Sequence, residues 1–333
     1  MAASSVRARA FTRANLIVGL MLAASWPASG QNWPTRPMTM VVPFAAGSSS
    51  DIVGRIIAAR LSELLGQQVI VENVGGAGGM TGANRVAKAA PDGYQFVLGT
   101  GGTHAANQTL FRNPQYNAGT DFAPVALIVE QTIVLVARKD LPADNLQEFA
   151  TYARSNQQKM QYGSPGVGSA PHLSCALLTA ALGLNIIHVP YRGGPPMIQD
   201  LIAGRIDYAC MSGTVAMPQI RSETVKALAI LTKDRSSSFP ALASAHEQGL
   251  SDFHASTWYA VFLPKHTPVP IIERLHRAII ATMNTPAVQE RLREAGTDLV
   301  GPERRSPEHL ARFVVSEIDR WAAVIKSVGL SVD

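Results

Sequence analysis

The chain has 333 residues, 47% of them hydrophobic and 16% charged, and a formal net charge of +5 at pH 7. This length favours two domains, and the composition is typical of a folded α/β protein and argues against disorder. Three of the 29 basic residues are Arg7, Arg9 and Arg13, and without them 26 basic residues stand against 24 acidic ones. That small excess, with no Lys/Arg stripe among aromatic residues, gives no indication of nucleic-acid binding.

Residues 1–30 have the three-part layout of a secretory signal peptide. A basic start without acidic residues is followed by the apolar run 16–24 and by small residues at 28–30. The apolar run is too short to span a bilayer. We therefore predict a cleavable signal peptide over residues 1–30, a mature chain that begins near Gln31, and a periplasmic location. The alternative is a retained amphipathic or transmembrane anchor.

Apolar runs alternate with helical patterns along the mature chain, which indicates βαβ units and a mostly parallel sheet. Before residue 140 the predicted strands are 38–43, 69–72, 94–98 and 125–138, and the predicted helices are 51–65 and 80–90. The run 125–138 is long enough to cross between two domains. After residue 140 the predicted helices are 146–156, one that ends near 182, 197–203, 271–283, 287–295 and 307–327, and the predicted strands are 160–162, 186–189, 206–210, 226–231 and 258–263.

Two small, uncharged Gly/Ser loops, 44–50 and 163–169, each follow a predicted strand and lead into a helix. The first N–H groups of a helix have no intrahelical partner, so such an end binds anions without Arg or Lys. Two of these ends on opposite sides of a cleft would bind a small carboxylate. The candidate ligand-binding residues are Phe44, Ala45, Gly47, Ser48, Ser49 and Asp51 in the first junction, and Ser164, Gly166, Gly168 and Ser169 in the second.

These junctions also have a purely structural interpretation. Ser50 or Asp51 could simply cap the first helix, and the Asp51 carboxylate would compete with an anionic ligand for the same N–H groups. The glycines of the second loop could be there only because the backbone adopts conformations that favour glycine.

Further candidates follow other predicted strands. Thr100 and His104 lie in a small-residue loop at the end of a strand, where open α/β sheets bind ligands. Tyr191 and Arg192 follow strand 186–189. Arg192 could clamp a carboxylate with two hydrogen bonds or remain a solvated residue at the rim.

Motifs for cofactors, metals and catalysis are missing from the sequence. The glycines at 75–82 do not have the dinucleotide-binding spacing, the histidines lack metal-site spacing, and Ser164 lacks the first glycine of a nucleophile elbow. We therefore predict no cofactor, no metal and no catalysis. The alternatives are a secreted two-lobed hydrolase or transferase that uses Ser164 or Ser49 with a histidine, and a ligand-sensing module for a signalling partner.

Cys175 and Cys210 are the two cysteines of the chain. Export would permit a disulfide, but spacing alone does not decide whether the two residues meet. Two buried, unpaired thiols are the preferred interpretation.

Six sequence blocks in fixed order carry a family resemblance. They are VVPFAAGSSSDIVGR, VENVGGAGGMTGANRVAKAAPDGY, LGTGGTH, YGSPGVGS, HVPYRGG and WYAVFLPKHTPVPIIERLH. The chain resembles the Bug-type periplasmic solute-binding receptors of the tripartite tricarboxylate transporter family. The resemblance implies a type II-like Venus-flytrap fold of two α/β lobes joined by two crossing strands. It also implies a small organic acid held by N–H groups, hydroxyls and water, and an ion-gradient-driven transporter with two integral membrane subunits as partner.

With chain crossings near 125–136 and before Trp258, we expect lobe 1 to comprise residues 31–129 and 251–333, and lobe 2 residues 130–250. The protein is expected to be a monomer. Ser48 stands where the family usually has a second glycine, and Cys210, Met211 and Ser212 stand where a strand usually runs into an acidic or amide pair. If Met211 and Ser212 line the cleft as in the family, the less polar wall favours an aromatic or branched carboxylate.

Overall fold

The computed structural model describes residues 33–251, 253–327, 329 and 331. The predicted signal peptide therefore lies outside the described residues. Within the described part of the chain, no helix has the length and hydrophobicity needed to cross a membrane.

The strands are β1 (Met38–Val42), β2 (Val69–Asn73), β3 (Gln95–Thr100), β4 (Phe122–Arg138), β5 (Gln161–Ser164), β6 (Ile187–Pro190), β7 (Tyr208–Ser212), β8 (Val225–Ile230), β9 (Ser256–Pro264) and β10 (Asp298–Leu299). The α-helices are α1 (Ser49–Leu65), α2 (Met80–Ala87), α3 (Asn107–Leu110), α4 (Leu146–Asn156), α5 (Ala170–Ala181), α6 (Gly194–Ile202), α7 (Gly213–Arg221), α8 (Val269–Met283), α9 (Pro286–Glu294) and α10 (Pro307–Ser327). Short 3₁₀ turns cover Ala77–Gly79 and Pro302–Arg304, and a π-helix covers Gly102–Ala106.

The long strand β4 joins two parts of the sheet. Residues 122–132 pair antiparallel with β9, whereas residues 133–138 pair antiparallel with β7 and β8. On one side β1 pairs in parallel with β2 and β3, and β3 pairs with β9. On the other side β5 pairs in parallel with β6 and β7. The predicted α/β architecture with a long crossing strand is therefore present. The expectation of a mostly parallel sheet is wrong, because every described pairing of β4 and β9 is antiparallel.

We call the part with β1–β3, β9, β10 and the first section of β4 lobe 1, and the part with β5–β8 and the rest of β4 lobe 2. Each has its own core: Trp258 and Phe262 belong to the core of lobe 1, and Phe149 and Tyr208 to that of lobe 2. Residues Pro34–Asp333 nevertheless pack as one unit, so the lobe boundaries stay a prediction.

The first helix shows why these elements form. Ser48 is the N-cap of α1, and its hydroxyl accepts a hydrogen bond from the Asp51 N–H at 3.3 Å. At the other end Gly66 has a φ of 67°, a left-handed conformation that ends helices and favours glycine. Buried residues such as Val53, Ile57 and Leu61 hold the helix on the sheet.

Several predicted boundaries differ from the structure. The small-residue loop 100–104 is largely helical, since Gly102–Ala106 is a π-helix that continues into α3. Helix α7 was not predicted, because Gly213 and Pro218 usually break helices. Helix α6 begins at Gly194, three residues before the predicted start, with a proline in its first turn.

Cys175 on α5 and Cys210 on β7 form a disulfide, with their Cα atoms 5.4 Å apart. The preferred interpretation of two unpaired thiols is wrong. Strand β7 pairs with β5, and α5, which follows β5, packs over β7, so the two cysteines meet in the core of lobe 2. The sequence did not reveal that pairing of strands.

Candidate ligand-binding site

A cavity of about 580 Å³ lies between the two lobes. Both predicted loop–helix junctions and the ends of several further elements form its wall. Eleven of the predicted site residues line it, namely Phe44, Ala45, Ser48, Ser49, Thr100, Gly166, Ser169, Tyr191, Arg192, Met211 and Ser212.

The N-termini of several helices converge on this cavity. Ser48–Ser50 begin α1, Ser169–Pro171 begin α5, Gly193 and Gly194 begin α6, and Ser212 precedes α7. The first intrahelical hydrogen bond of α1 is donated by Ile52 to the Ser48 carbonyl, so the N–H groups of Ser49 and Ser50 precede the helix ladder. The same holds for Ala170, because the ladder of α5 starts with the Leu173 N–H.

Side-chain charges contribute little to this site. Among the described residues that line the cavity, Arg192 is the one charged side chain, and it is exposed at the rim. The positive ends of the helix dipoles therefore face the cavity, and no carboxylate side chain in that wall opposes a bound anion.

Apolar side chains form much of the remaining wall. The Tyr191 ring lies there, while its hydroxyl donates a hydrogen bond to Asp200 at 2.7 Å, and burial with this contact raises the pKa of Tyr191 to about 12. Further large apolar side chains of the wall belong to Phe44, Phe111, Val167, Met197, Met211 and Val215.

Five predicted site residues do not line the cavity: Gly47, Asp51, His104, Ser164 and Gly168. The Asp51 carboxylate is buried under the first loop and accepts hydrogen bonds from the Gly47 N–H at 2.9 Å and from Arg55 at 3.0 Å. Burial alone would raise the pKa of Asp51, but the hydrogen bonds outweigh it, so the pKa lies below its usual value. Asp51 therefore shapes the loop.

His104 is fully buried in the core of lobe 1. Its ring stacks on Phe262 with centroids 4.0 Å apart, and burial lowers the pKa of His104 to about 3. The histidine is neutral and acts in packing, because the predicted open loop is a helix that turns this side chain inward.

Two histidines, His172 and His188, form hydrogen bonds with the second loop. The Ser164 hydroxyl lies 2.7 Å from His188 Nε2, and the Gly168 N–H donates to His172 Nδ1 at 3.3 Å. The two imidazole rings are in contact, with centroids 4.2 Å apart. Ser164 and Gly168 thus fix the loop, while Gly166 and Ser169 reach the cavity.

Part of the cavity wall was not predicted from the sequence. The segment Gly75–Gly79, for which the sequence predicts no ligand-binding role, forms one lip of the cavity. Thr257 and Tyr259 on β9 also line it. Alternate residues of a strand share one face, but the predicted strand 258–263 starts one residue after Thr257, so the pair was not recognised.

The lips of the two lobes touch. A Cβ placed on Gly78 would lie 3.0 Å from the Val167 carbonyl oxygen, and one placed on Gly193 would lie 3.3 Å from Ala45 Cβ. The structure therefore shows the lobes in a closed arrangement. Within the described residues, no group of three or more His, Cys, Asp or Glu is placed to hold a metal ion.

Comparison with known proteins agrees with this geometry. The model of the family described as "Tripartite tricarboxylate transporter family receptor" matches residues 53–330. The chain belongs to this family. The periplasmic binding protein BugD has a solved structure that is 36% identical, with a TM-score of 0.85, over 90% of this chain and 99% of that one.

Two further solved structures are similar. MatC from Rhodopseudomonas palustris, solved with bound malate, is 39% identical with a TM-score of 0.84, over 88% of this chain and 100% of that one. A second protein of that bacterium, solved with adipate, is 35% identical with a TM-score of 0.85, over 90% of this chain and 99% of that one. The resemblance to Bug-type receptors and the periplasmic-binding-protein fold are confirmed, and the protein is a binding receptor, not an enzyme.

Proposed function

We propose that this receptor captures a small carboxylate in its interlobe cavity in the periplasm. It delivers the acid, as a monomer, to an ion-gradient-driven transporter with two integral membrane subunits. The observation that carries the proposal is the convergence of helix N-termini on a cavity whose described wall contains no carboxylate and one cation. The malate and adipate bound to the two similar structures support a carboxylate as the ligand.

The body of the ligand follows from the apolar part of the wall. Phe44, Phe111, Met197 and Met211 suit an apolar group better than a chain of hydroxyls. We therefore favour an aromatic or branched carboxylate, whose acid group lies at the helix ends and whose body contacts these side chains. The main alternative ligand class is the unbranched dicarboxylates.

A thermal-shift screen of aromatic acids, branched acids, dicarboxylates and amino acids tests the ligand class. A ligand at about 100 times its dissociation constant should stabilise the fold by about 2.7 kcal/mol. The matched neutral amide of each acid is the control and should give no shift. Shifts with sugars or cations alone would overturn the proposal.

The backbone donors can be tested at Ala170, the first residue of α5. Proline suits the first helical position, and Ser169 already has an extended conformation with φ −71° and ψ 152°, which the residue before proline requires. Ala170→Pro should thus remove one N–H and keep the helix. Loss of one hydrogen bond to a charged group costs about 1.5–3 kcal/mol, or roughly ten- to a hundredfold in affinity.

Ala170→Gly is the matched control, because it keeps the N–H, and Arg192→Ala tests the rim charge. We expect both to weaken binding less than Ala170→Pro, and the effect of Arg192→Ala to shrink as salt is added. Calorimetry on the three variants decides. If Arg192→Ala abolishes binding and Ala170→Pro does not change it, a guanidinium clamp holds the ligand.

A further inference from the structure

A buried polar cluster connects the two lobes at the back of the cavity. Ser49 lies at the start of α1 in lobe 1, Thr214 in the first turn of α7 in lobe 2, and Gln131 on β4, which both lobes share. Their exposed fractions are 6%, 3% and 0%.

The three side chains are within hydrogen-bond distance of one another. Ser49 Oγ lies 2.6 Å and Thr214 Oγ1 2.9 Å from Gln131 Oε1, and the two hydroxyl oxygens are 2.9 Å apart. The Gln131 amide nitrogen donates to the Gly296 carbonyl at 3.1 Å, which points Oε1 at the hydroxyls. An amide oxygen only accepts, so the Thr214 hydroxyl donates to it, and the Ser49 hydroxyl donates either to the same oxygen or to Thr214 Oγ1.

This assignment of protons changes the role of Ser49. Its hydroxyl lines the cavity, but its single proton already has an acceptor and is not free for an anionic ligand. The cluster instead joins α1 of lobe 1 to α7 of lobe 2, through the shared amide oxygen and through the direct contact of the two hydroxyls. In a buried setting each of these bonds is costly to leave unmade.

We propose that Gln131, Ser49 and Thr214 form an interlobe latch that stabilises the closed state of the receptor. They are positioning residues: they hold the two helix ends together around the cavity without selecting the ligand. The proposal rests on the proposed function in one respect, that the lobes close around a bound acid. Loss of the latch lowers the closed population, so the affinity for every ligand falls by the same factor.

Thr214→Val tests the latch, because valine has nearly the shape of threonine and cannot donate. Loss of one such hydrogen bond should raise Kd roughly three- to tenfold, by the same factor for an aromatic acid and a dicarboxylate, mostly through faster dissociation. Thr282→Val is the matched control. Its hydroxyl is also fully buried and donates to the Ala278 carbonyl at 2.9 Å within α8, far from the latch in the chain, and Kd should not change.

A second measurement needs no ligand. Ala45→Cys with Gly193→Cys places two thiols on opposite lips, where the Cβ atoms would be 3.3 Å apart in the closed state. The φ of 108° at Gly193 strains a cysteine there, so rates are compared only between proteins that carry the same pair of cysteines. The rate of disulfide formation then reports the closed population. Adding Thr214→Val should slow cross-linking by the factor seen in Kd, whereas adding Thr282→Val should leave the rate unchanged.

The outcomes separate the two proposals. A change in the ranking of ligands in Thr214→Val would make Thr214 a ligand contact and overturn the latch. Unchanged Kd and cross-linking would overturn it as well. If the wild-type protein binds no carboxylate, the proposed function fails, and the cross-linking rates alone still support or refute the latch.

Discussion

The disulfide between Cys175 and Cys210 makes a strong prediction about stability. The two cysteines are 35 residues apart, and a closed loop of about that length restricts the unfolded chain. The chain-entropy model gives a stabilisation of about 4 kcal/mol for such a loop. The double variant Cys175→Ala with Cys210→Ala should therefore lower the free energy of unfolding by about that amount.

Urea unfolding of three samples provides the measurement. The oxidised wild-type protein should have the highest midpoint, and the reduced wild-type protein and the double alanine variant should share a lower one. A thiol titration of the native oxidised protein is the control and should find no free thiol. If two thiols titrate, or if reduction leaves the midpoint unchanged, the disulfide is not part of the native protein and our placement of α5 on β7 is in doubt.

Three other predictions concern the lips, the response to acid and export. Gly78→Ala places a methyl group against the opposite lip and should raise the Kd measured by calorimetry. Gly66→Ala is the control: Gly66 has a similar positive φ but open space around its Cβ, so the change should lower stability and leave Kd unchanged. Burial lowers the pKa of His172 to about 4 and of His188 to about 3, below the usual 6.5, so both take up protons on unfolding. The free energy of unfolding should therefore be highest above pH 6.5 and fall toward pH 4 by about 1.4 kcal/mol per pH unit for each histidine. A urea midpoint that stays constant over this pH range would contradict the prediction. The intact mass of protein from a periplasmic extract should correspond to a chain that begins near Gln31, and a mass that retains the first 30 residues would refute cleavage.

Local patterns in the sequence predicted much of the fold. Helices such as 146–156 and 307–327 have the predicted bounds, because N-caps, prolines and apolar spacing are short-range signals. Both loop–helix junctions reach the cavity for the same reason. The predicted crossing strand is also present, since the apolar run 125–138 was too long for an ordinary strand.

The features that the sequence did not reveal depend on contacts between distant segments. Gln131 meets Ser49 and Thr214 across 82 and 83 residues, and no local pattern in the predicted strand 125–138 indicates these contacts. The pairing of Cys175 with Cys210 depends on the order of strands in lobe 2. Helix α7 contains Pro218, which local propensity counts as a breaker.

The side chains of the two junctions show how such contacts redirect a functional interpretation. Ser49 and Ser169 are predicted ligand-binding residues, and both line the cavity. The Ser169 hydroxyl, however, donates to the Gly166 carbonyl at 2.6 Å, and the Ser49 hydroxyl donates to Gln131 or Thr214. Because each hydroxyl has one proton, neither is left to donate to an anion in the closed state. We therefore expect backbone N–H groups such as those of Ser50 and Ala170 to bind the proposed carboxylate. On this expectation, deletion of a serine side chain acts through loop shape and closure, whereas a proline that removes one of these N–H groups acts on the ligand directly.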